Sequence, residues 1–437
     1  MKKSLLVLCV LVLLLVCHSI ALAEETYVSG LFTYEIRGNG TVTILDYDWS
    51  RSKGDVHVPN MLDGRIVTAI ADEAFAVPVN NGYYTNSVLV TLPDTVTQIG
   101  ERAFFNAPVS SINITENLRS IGRGALTTHG PVHFNIVPNQ KWYAVIDNAL
   151  YEKSTKTLIA ITGDASFLRI PEGIKTIGAY ACYNGNRSDS IMHSMGISVP
   201  ATVTTIEAYA FTNASLNGEW DALPYGFTGV KRLGEGCFQN VLFHDALILP
   251  AGLTSIPAYA FQNASFFEFV ILPNSITSIG DYAFSKAHTN YKLLRFHDDP
   301  FSCVKGIDWG SSSDMSERIH AIVGDNLFPT SLLTLGSYAF YRTETVFGND
   351  PYLTFSTWNP VVKLPDELET IGEFALSSCG IGTCVVPVSV YDIHPDAFDQ
   401  SVATLQIEPG SYAEAFAQEN GFRYTYAVEE DLDWLLN

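Results

Sequence analysis

A short motif recurs along this chain at fixed internal spacing and constrains the fold more than any other feature. In one copy, Leu272-Pro273 is followed by Ile276, then by Ile279-Gly280 and Ala283-Phe284. Copies with this spacing begin at Leu92, Ile170, Val199, Leu249, Leu272, Phe328, Leu364 and Val386, and weaker copies include Val58, Ile114 and Val230. Length alone, at 437 residues, favours two or three domains, but such a repeat indicates one solenoid.

The physical chemistry of one copy predicts a strand, a turn and a compact return. The apolar run Phe269 to Leu272 favours a strand, and Pro273 ends its pairing because proline has no N–H to donate. Gly280 stands where we expect a special dihedral angle or a close backbone approach, and Asp281 to Phe284 are predicted to form one helical turn. Neighbouring Leu-Pro steps lie 22 to 23 residues apart, within the leucine-rich-repeat range. We therefore predict an α/β solenoid with a concave parallel sheet and with short turns and helices on the convex side.

The motif resembles the BspA-like (Treponema-type) leucine-rich repeats, whose hallmark is LPxxVxxIGxxAF, and the resemblance spans about residues 27–427. Two further segments fit that family. Ala149 to Ile159 resembles the hairpin that its members insert between repeats, and Ser411 to Phe422 resembles their closing helix and strand. The resemblance implies a secreted or surface protein of host-associated bacteria, with a role in adhesion to host proteins and other cells. That implication is an analogy at the level of the fold.

These features predict the organisation of the chain. Residues 1–23 form a signal peptide, 24–57 an N-terminal β cap, 58–400 the leucine-rich repeats, and 401–437 a C-terminal cap with an acidic tail. Two insertions interrupt the repeats, a hairpin over 131–169 and a long loop over 288–327. The alternating segments Gly30 to Ile36 and Thr41 to Ile44 predict a β-hairpin in the N-terminal cap, which would shield the apolar edge of the first repeat.

The first residues have the pattern of a secretory signal. Lys2 and Lys3 precede an apolar run from Leu5 to Val16, and Ala21-Leu22-Ala23 supplies the small residues of a cleavage site. We expect cleavage after Ala23 and no integral membrane span in the mature chain. The protein would then be secreted, or retained non-covalently at the cell surface. An uncleaved membrane anchor is the alternative.

Charge and cysteine content disfavour several kinds of function. Without Lys2 and Lys3 the chain has 23 Lys and Arg against 46 Asp and Glu, a net charge of −23, so nucleic acid is not an expected partner. The mature chain would keep five cysteines, and an odd number argues against a disulfide framework. A disulfide between Cys379 and Cys384 stays open, because sequence does not show the required geometry. No set of four ligands for zinc is apparent, so no metal is expected.

No catalytic motif is present in the sequence. It lacks G-x-S-x-G, H-E-x-x-H and P-loop patterns, and its ten histidines are scattered. We therefore predict a non-catalytic protein without a cofactor, which binds an extracellular protein or glycan. Two alternatives are an extracellular hydrolase with its site in the 288–327 insertion, and a structural component of a cell envelope or biofilm.

Two sets of residues are candidates for contact with the partner. The residue before each Leu-Pro step is expected to face concave solvent, because alternate side chains of a strand point to opposite faces. In mid-array that residue is apolar, at Ile248 and Ile271, and Phe269 lies beside them. Exposed, these side chains would form a protein-contact patch. The alternative is that β propensity selects them and an inserted loop covers them.

The insertions provide the second set. The 288–327 loop carries Tyr291 and Trp309 among several aromatic residues. Aromatic side chains give a large contact area at low entropic cost, so both residues are candidate partner contacts. The alternative is that these rings pin the loop onto the solenoid.

Overall fold

The structure is a computed structural model that describes eleven parts of the chain. They are residues 25–78, 87–130, 132–161, 167–183, 195–217, 225–267, 270–289, 294–300, 327–343, 361–399 and 402–427. The predicted signal peptide and most of the 288–327 insertion lie outside these parts and stay predictions. In the described parts, the chain winds through about 13 turns of a solenoid built from parallel sheets.

Strands at or just before the Leu-Pro steps, together with short strands such as Leu242–Phe243 that lie several residues earlier, form what we call the Leu-Pro face. Its strands pair in parallel and in register, as Ile248 and Ile271 do. They are Val56–His57, Val88–Thr91, Val109–Ile114 and His133–Ile136; Phe167–Arg169, Met195–Ser198, Ser215–Asn217, Leu242–Phe243, Ser265–Phe266 and His288–Thr289; Tyr225–Gly226, Leu247–Ile248, Val270–Pro273 and Leu294–His297; and Val361–Lys363, Thr383–Val385, Thr404–Ile407 and Tyr424–Tyr426.

A second set of parallel strands precedes the Gly position of each turn, and we call it the Ile-Gly face. The sequence prediction placed only a turn here. Most of these strands have two residues, so the face is narrow. They are Arg65–Ile70, Gln98–Ile99, Ser120–Ile121, Thr157–Ile161, Thr176–Ile177, Thr205–Ile206, Arg232–Leu233, Ser255–Ile256, Ser278–Ile279, Thr334–Leu335, Thr370–Ile371 and Asp392–Ile393.

Antiparallel strands join the Ile-Gly face at two places. Near the N-terminus, Thr26–Ser29, Phe32–Ile36 and Val42–Tyr47 form a meander, followed by a 3-10 turn at Trp49–Arg51 and a short strand Met61–Leu62. Further along, Tyr143–Ile146, Ala149–Glu152 and Thr157–Ile161 pair in the same way. Both predicted hairpins are therefore present as strand pairs. The capping role assigned to the first hairpin stays a prediction.

The described repeats return through tight turns and do not form the predicted short helices, so the α/β class is not confirmed. Tyr282 and Lys286 both have φ of 57°, in the left-handed region, so a right-handed helix cannot run through them. Their N–H groups instead donate along the solenoid axis to the carbonyls of Ser337 and Tyr341, both at 2.8 Å. The one α-helix in the described residues is Tyr412–Asn420, so the repeats form a β-solenoid.

Phenylalanine rings from successive turns stack in the core. Phe211, Phe238, Phe261, Phe284 and Phe340 form one column with centroid separations of 5.1 to 5.4 Å and interplanar angles of 8° to 12°. All five side chains are fully buried. Earlier in the chain, Leu126 and Cys182 occupy the same position of the repeat and are also buried. The core therefore accepts other apolar side chains in the phenylalanine position.

Candidate functional site

The structure buries the two isoleucines of the predicted contact patch. Ile248 and Ile271 are both 0% exposed, so neither reaches solvent. The strand Val270–Pro273 is buried at all four of its positions, which means that this sheet is covered on both sides. A parallel sheet covered on both sides carries a continuous apolar run instead of an alternating pattern. The predicted exposure of Ile248 and Ile271 is therefore wrong.

The other predicted contact residues, Phe269, Tyr291 and Trp309, lie outside the described residues, and their role stays a prediction. One aromatic neighbour is described. Phe267 is 38% exposed and stacks on the His244 ring, with centroids 5.3 Å apart and planes 4° from parallel. This pair is a small feature at the edge of the Leu-Pro face.

A groove of about 730 Å³ lies on the Ile-Gly face near the C-terminal end. Four successive turns provide its floor. Each turn contributes a strand residue, the residue at the Gly position and the residue that follows: Ser278, Gly280 and Asp281; Thr334, Gly336 and Ser337; Thr370, Gly372 and Glu373; Asp392, His394 and Pro395. Tyr412, Ala415, Phe416, Glu419 and Asn420 of the C-terminal helix form its wall.

At Gly280 and Gly336 the floor leaves no room for a side chain, because successive turns approach closely there. A Cβ atom on Gly280 would lie 2.6 Å from the backbone N of Ala258, and one on Gly336 would lie 2.7 Å from that of Asp281. Real Cβ atoms do not approach other atoms so closely, so only glycine allows this stacking without a shift. The close approach expected at Gly280 is confirmed. In the last turn His394 takes the glycine position and adds an imidazole ring to the lining.

Hydrogen bonds at its N-terminus fix the helix that forms the wall. Ser411 Oγ accepts from the Glu414 N–H at 3.2 Å, and Glu414 Oε2 accepts from the Gly410 N–H at 2.6 Å. This arrangement resembles a capping box and satisfies two N–H groups at the start of the helix. Hydrogen bonds from the Tyr426 hydroxyl and the Gly410 N–H hold the pKa of Glu414 below its ordinary value. The helix ends at Gly421, whose left-handed φ of 73° is typical of a C-terminal cap.

The lining of the groove is acidic. It includes Asp281, Glu373, Asp392 and Glu419, and none of its described residues is Lys or Arg. Asp281 and Glu373 stand at the same position two turns apart, so strand spacing separates their backbones by roughly 10 Å. Asp281 Oδ1 accepts a hydrogen bond from the Ser337 N–H at 2.7 Å, which orients that carboxylate. The groove therefore attracts cations and repels anions.

The described residues include several groups whose chemistry the sequence left open. Across the described ranges, no group of three His, Cys, Asp or Glu side chains could hold a metal ion. Cys379 and Cys384, for which a disulfide was left open, are both buried thiols. Burial raises the pKa of the Cys182, Cys237 and Cys384 thiols. Such thiols are poor nucleophiles, since the thiolate is the reactive form.

Sequence reasoning missed this groove because it assigned the Ile-Gly step to a turn. A signal was nevertheless present. Gly280, Gly336 and Gly372 recur at one position of the motif, and the next residue is Asp281 or Glu373 in two of the three turns. Glycines that recur at one position, with acidic residues next to them, indicate a groove with acidic edges. The closing helix was predicted, but its use as a wall was not.

Among the segments that the structure describes, none is a helix with the length and apolarity that crossing a membrane requires.

Comparison with known proteins gives matches to one repeat family. The model of the BspA type leucine rich repeat region matches residues 68–217, 175–299 and 354–418, in six copies. No curated protein matches the chain.

Several solved structures are similar to the chain at low identity. A leucine rich cell surface protein from Faecalibacterium prausnitzii is 17% identical, with 94% of this chain and 97% of that chain covered and a TM-score of 0.38. A leucine-rich repeat protein from Eubacterium ventriosum is 18% identical, with coverages of 81% and 94% and a TM-score of 0.44. The pneumococcal vaccine antigen PcpA is 12% identical, with coverages of 93% and 99% and a TM-score of 0.33.

The segments that match the family model make up more than half of the chain, and their motif is the one that builds the turns described above. The protein therefore belongs to the BspA type leucine-rich repeat family.

Proposed function

We propose that this protein is a secreted, non-catalytic binding protein that mediates adhesion, and that the groove on its Ile-Gly face contacts the partner. The groove itself carries the proposal. Its volume of about 730 Å³ lies in the range of ligand-binding clefts, and four stacked turns and a capped helix build it. Stacked repeats commonly use such extended surfaces for binding. The partner class is an extracellular protein or glycan.

The side chains of the groove support binding without covalent chemistry. The hydroxyl-bearing residues Ser278, Thr334 and Thr370 are neighbours across the floor, because their strands pair in parallel and in register. Hydroxyl groups both donate and accept hydrogen bonds, so this row suits a polar ligand that lies along the solenoid. Tyr412, which is 44% exposed, adds an aromatic contact on the wall.

The experiment is binding of the purified protein to an array of extracellular-matrix proteins and glycans, with two tryptophan variants. Thr370→Trp fills the groove, whereas Thr205→Trp places the same ring at the same strand position of an earlier turn, outside the described lining. We expect saturable binding that Thr370→Trp abolishes and Thr205→Trp keeps. If the unmodified protein binds nothing on the array, adhesion is contradicted and the structural or hydrolytic alternatives gain support.

A further inference from the structure

We infer that the groove recognises an extended peptide segment that carries lysine or arginine side chains. This inference rests on the binding function proposed above and names its ligand class. Charge complementarity is the first argument. Four carboxylates lie on the lining and no cation does among the described lining residues, so a positively charged ligand gains Coulomb energy throughout the groove.

The residues around the groove add to its negative electrostatic potential. Residues 361–399 and 402–427, which form the last described turns and the wall, contain ten Asp and Glu but only two basic residues, Lys363 and Arg423. Neither basic residue is part of the lining. Lys363 is also paired with Asp366, at 2.9 Å between Nζ and Oδ1, so part of its charge is already compensated.

The lining of the groove has several carboxylates and few aromatic rings, and this composition favours a peptide ligand over a glycan. Sulfated or sialylated glycans are anionic and would be repelled by Asp392 and Glu419. Neutral sugars are commonly held by stacking on aromatic faces. Besides the His394 imidazole, the rings on the described lining are those of Tyr412 and Phe416, and Phe416 is only 4% exposed. One exposed tyrosine and one imidazole are a poor platform for an oligosaccharide.

The shape of the groove favours an extended segment. Four adjacent strands lie three strand spacings apart from first to last, which gives a floor about 14 Å long. An extended chain advances about 3.3 Å per residue, so four to five residues would fill that length. The row of Ser278, Thr334 and Thr370 offers hydrogen-bonding partners to the peptide backbone, while the carboxylates at the edges accept from its cationic side chains.

The same charge rule excludes the chain's own C-terminal segment as the occupant. Residues 428–437 contain four Asp and Glu and neither Lys nor Arg. An anionic segment would be repelled by Glu373 and Asp392. That segment is therefore a poor occupant of the groove, and a cationic peptide from another molecule fits its charge better.

The test measures fluorescence anisotropy of a labelled peptide of about seven residues in which lysine alternates with serine. A matched peptide with glutamate in place of lysine and a neutral chito-oligosaccharide serve as comparison ligands. The groove variant combines Glu373→Gln, Asp392→Asn and Glu419→Gln. A control variant combines Glu172→Gln, Glu367→Gln and Glu408→Gln, which removes the same charge at exposed positions outside the described lining.

We expect the lysine peptide to bind, with a Kd that rises about tenfold or more in the groove variant and less than about twofold in the control variant. Binding should weaken with added salt, because screening shortens the reach of the carboxylates. The glutamate peptide should not bind.

Three results would overturn the inference. They are no binding of the lysine peptide, equal weakening in both variants, or preference of the groove for the chito-oligosaccharide. Equal weakening would mean that net charge, and not the groove, attracts the peptide. If Thr370→Trp still abolishes binding on the array while the lysine peptide fails, the binding function stands and only the ligand class is wrong.

Discussion

The Leu-Pro face and the Ile-Gly face arise from one repeat, yet they differ in which side chains reach solvent. In the middle of the Leu-Pro face, consecutive residues such as Leu247, Ile248 and Leu249 are all buried. On the Ile-Gly face, Ser278 is half-buried while Ile279 next to it is buried. Buried and exposed side chains therefore alternate along a strand only where one side of its sheet is open to solvent. In the middle of the array, the Ile-Gly face is therefore the better candidate for binding, whereas the Leu-Pro face is open to solvent towards its ends, as at Leu89 and Val361.

The largest expected effect tests burial on the Leu-Pro face. Ile271→Asp would place a carboxylate where the side chain is fully buried, so we expect the free energy of unfolding to fall by about 4 kcal/mol. Thermal unfolding followed by circular dichroism measures the change. Ile271→Val is the control and should cost about 1 kcal/mol. An Ile271→Asp protein as stable as the original would show that this face is open.

The next effect tests the tight stacking of the Ile-Gly face. Gly336→Ala brings a Cβ atom to 2.7 Å from the Asp281 backbone N, so the turns must move apart. We expect a loss of about 2 kcal/mol in stability, as for other overpacked sites. Gly252→Ala is the matched control, because no atom lies within 4 Å of its Cβ position. Equal stability of the two variants in urea unfolding would contradict the close approach.

A smaller effect is expected in the wall of the groove. Ser411→Ala removes the oxygen that accepts from the Glu414 N–H, which should destabilise the helix by about 1 kcal/mol. Hydrogen exchange of residues 412–420 should then become faster, while exchange in Ser278–Ile279 stays unchanged. Ser411→Asp keeps an acceptor and should restore slow exchange. Unchanged exchange in Ser411→Ala would show that the cap does not hold the wall.

The smallest effect concerns pH. Hydrogen bonds to the carboxylate lower the pKa of Glu414, so its contribution to stability is present above its ordinary pKa and is lost as pH falls through the lowered value. Glu414→Gln should therefore lower Tm at neutral pH, and the difference should shrink as pH falls through the lowered pKa of Glu414. Melting curves of both proteins across this range measure the difference. A constant difference at every pH would contradict the role of the charge.

Much of the fold could be predicted from the sequence, because the same motif recurs in many copies and each copy predicts the same local structure. The end of the strand at Pro273 and the close approach at Gly280 follow from local residue chemistry, whereas the hairpin near Ala149 was predicted from the resemblance to the repeat family. The two-residue strands of the Ile-Gly face could not be predicted, because two residues show no periodicity. Their pairing depends on neighbouring turns.

The left-handed turn shows what comparison of copies can add. Tyr282 gives no local hint of φ at 57°, since tyrosine seldom adopts that conformation. Gly124 and Gly236 stand at the same position of other copies and have φ of 60° and 56°. Glycine in two copies is the signal that no helical turn forms there.

The candidate site was harder to predict, because it depends on burial. Ile271 in a single strand is equally consistent with an exposed patch and with a covered sheet. Only the three-dimensional arrangement decides between these, and it places the groove between the last turns and the Tyr412–Asn420 helix.

Reaction of introduced cysteines with a maleimide tests the difference between the two faces most directly. Ile271→Cys reports on the Leu-Pro face and Asp392→Cys on the groove, while the unmodified protein gives the baseline for its own thiols. We predict that Asp392→Cys is labelled rapidly in the folded protein and that Ile271→Cys is labelled only after unfolding, because Ile271 is fully buried and Asp392 is exposed. Equal labelling rates in the folded protein would contradict the account, because the Leu-Pro face would then be open.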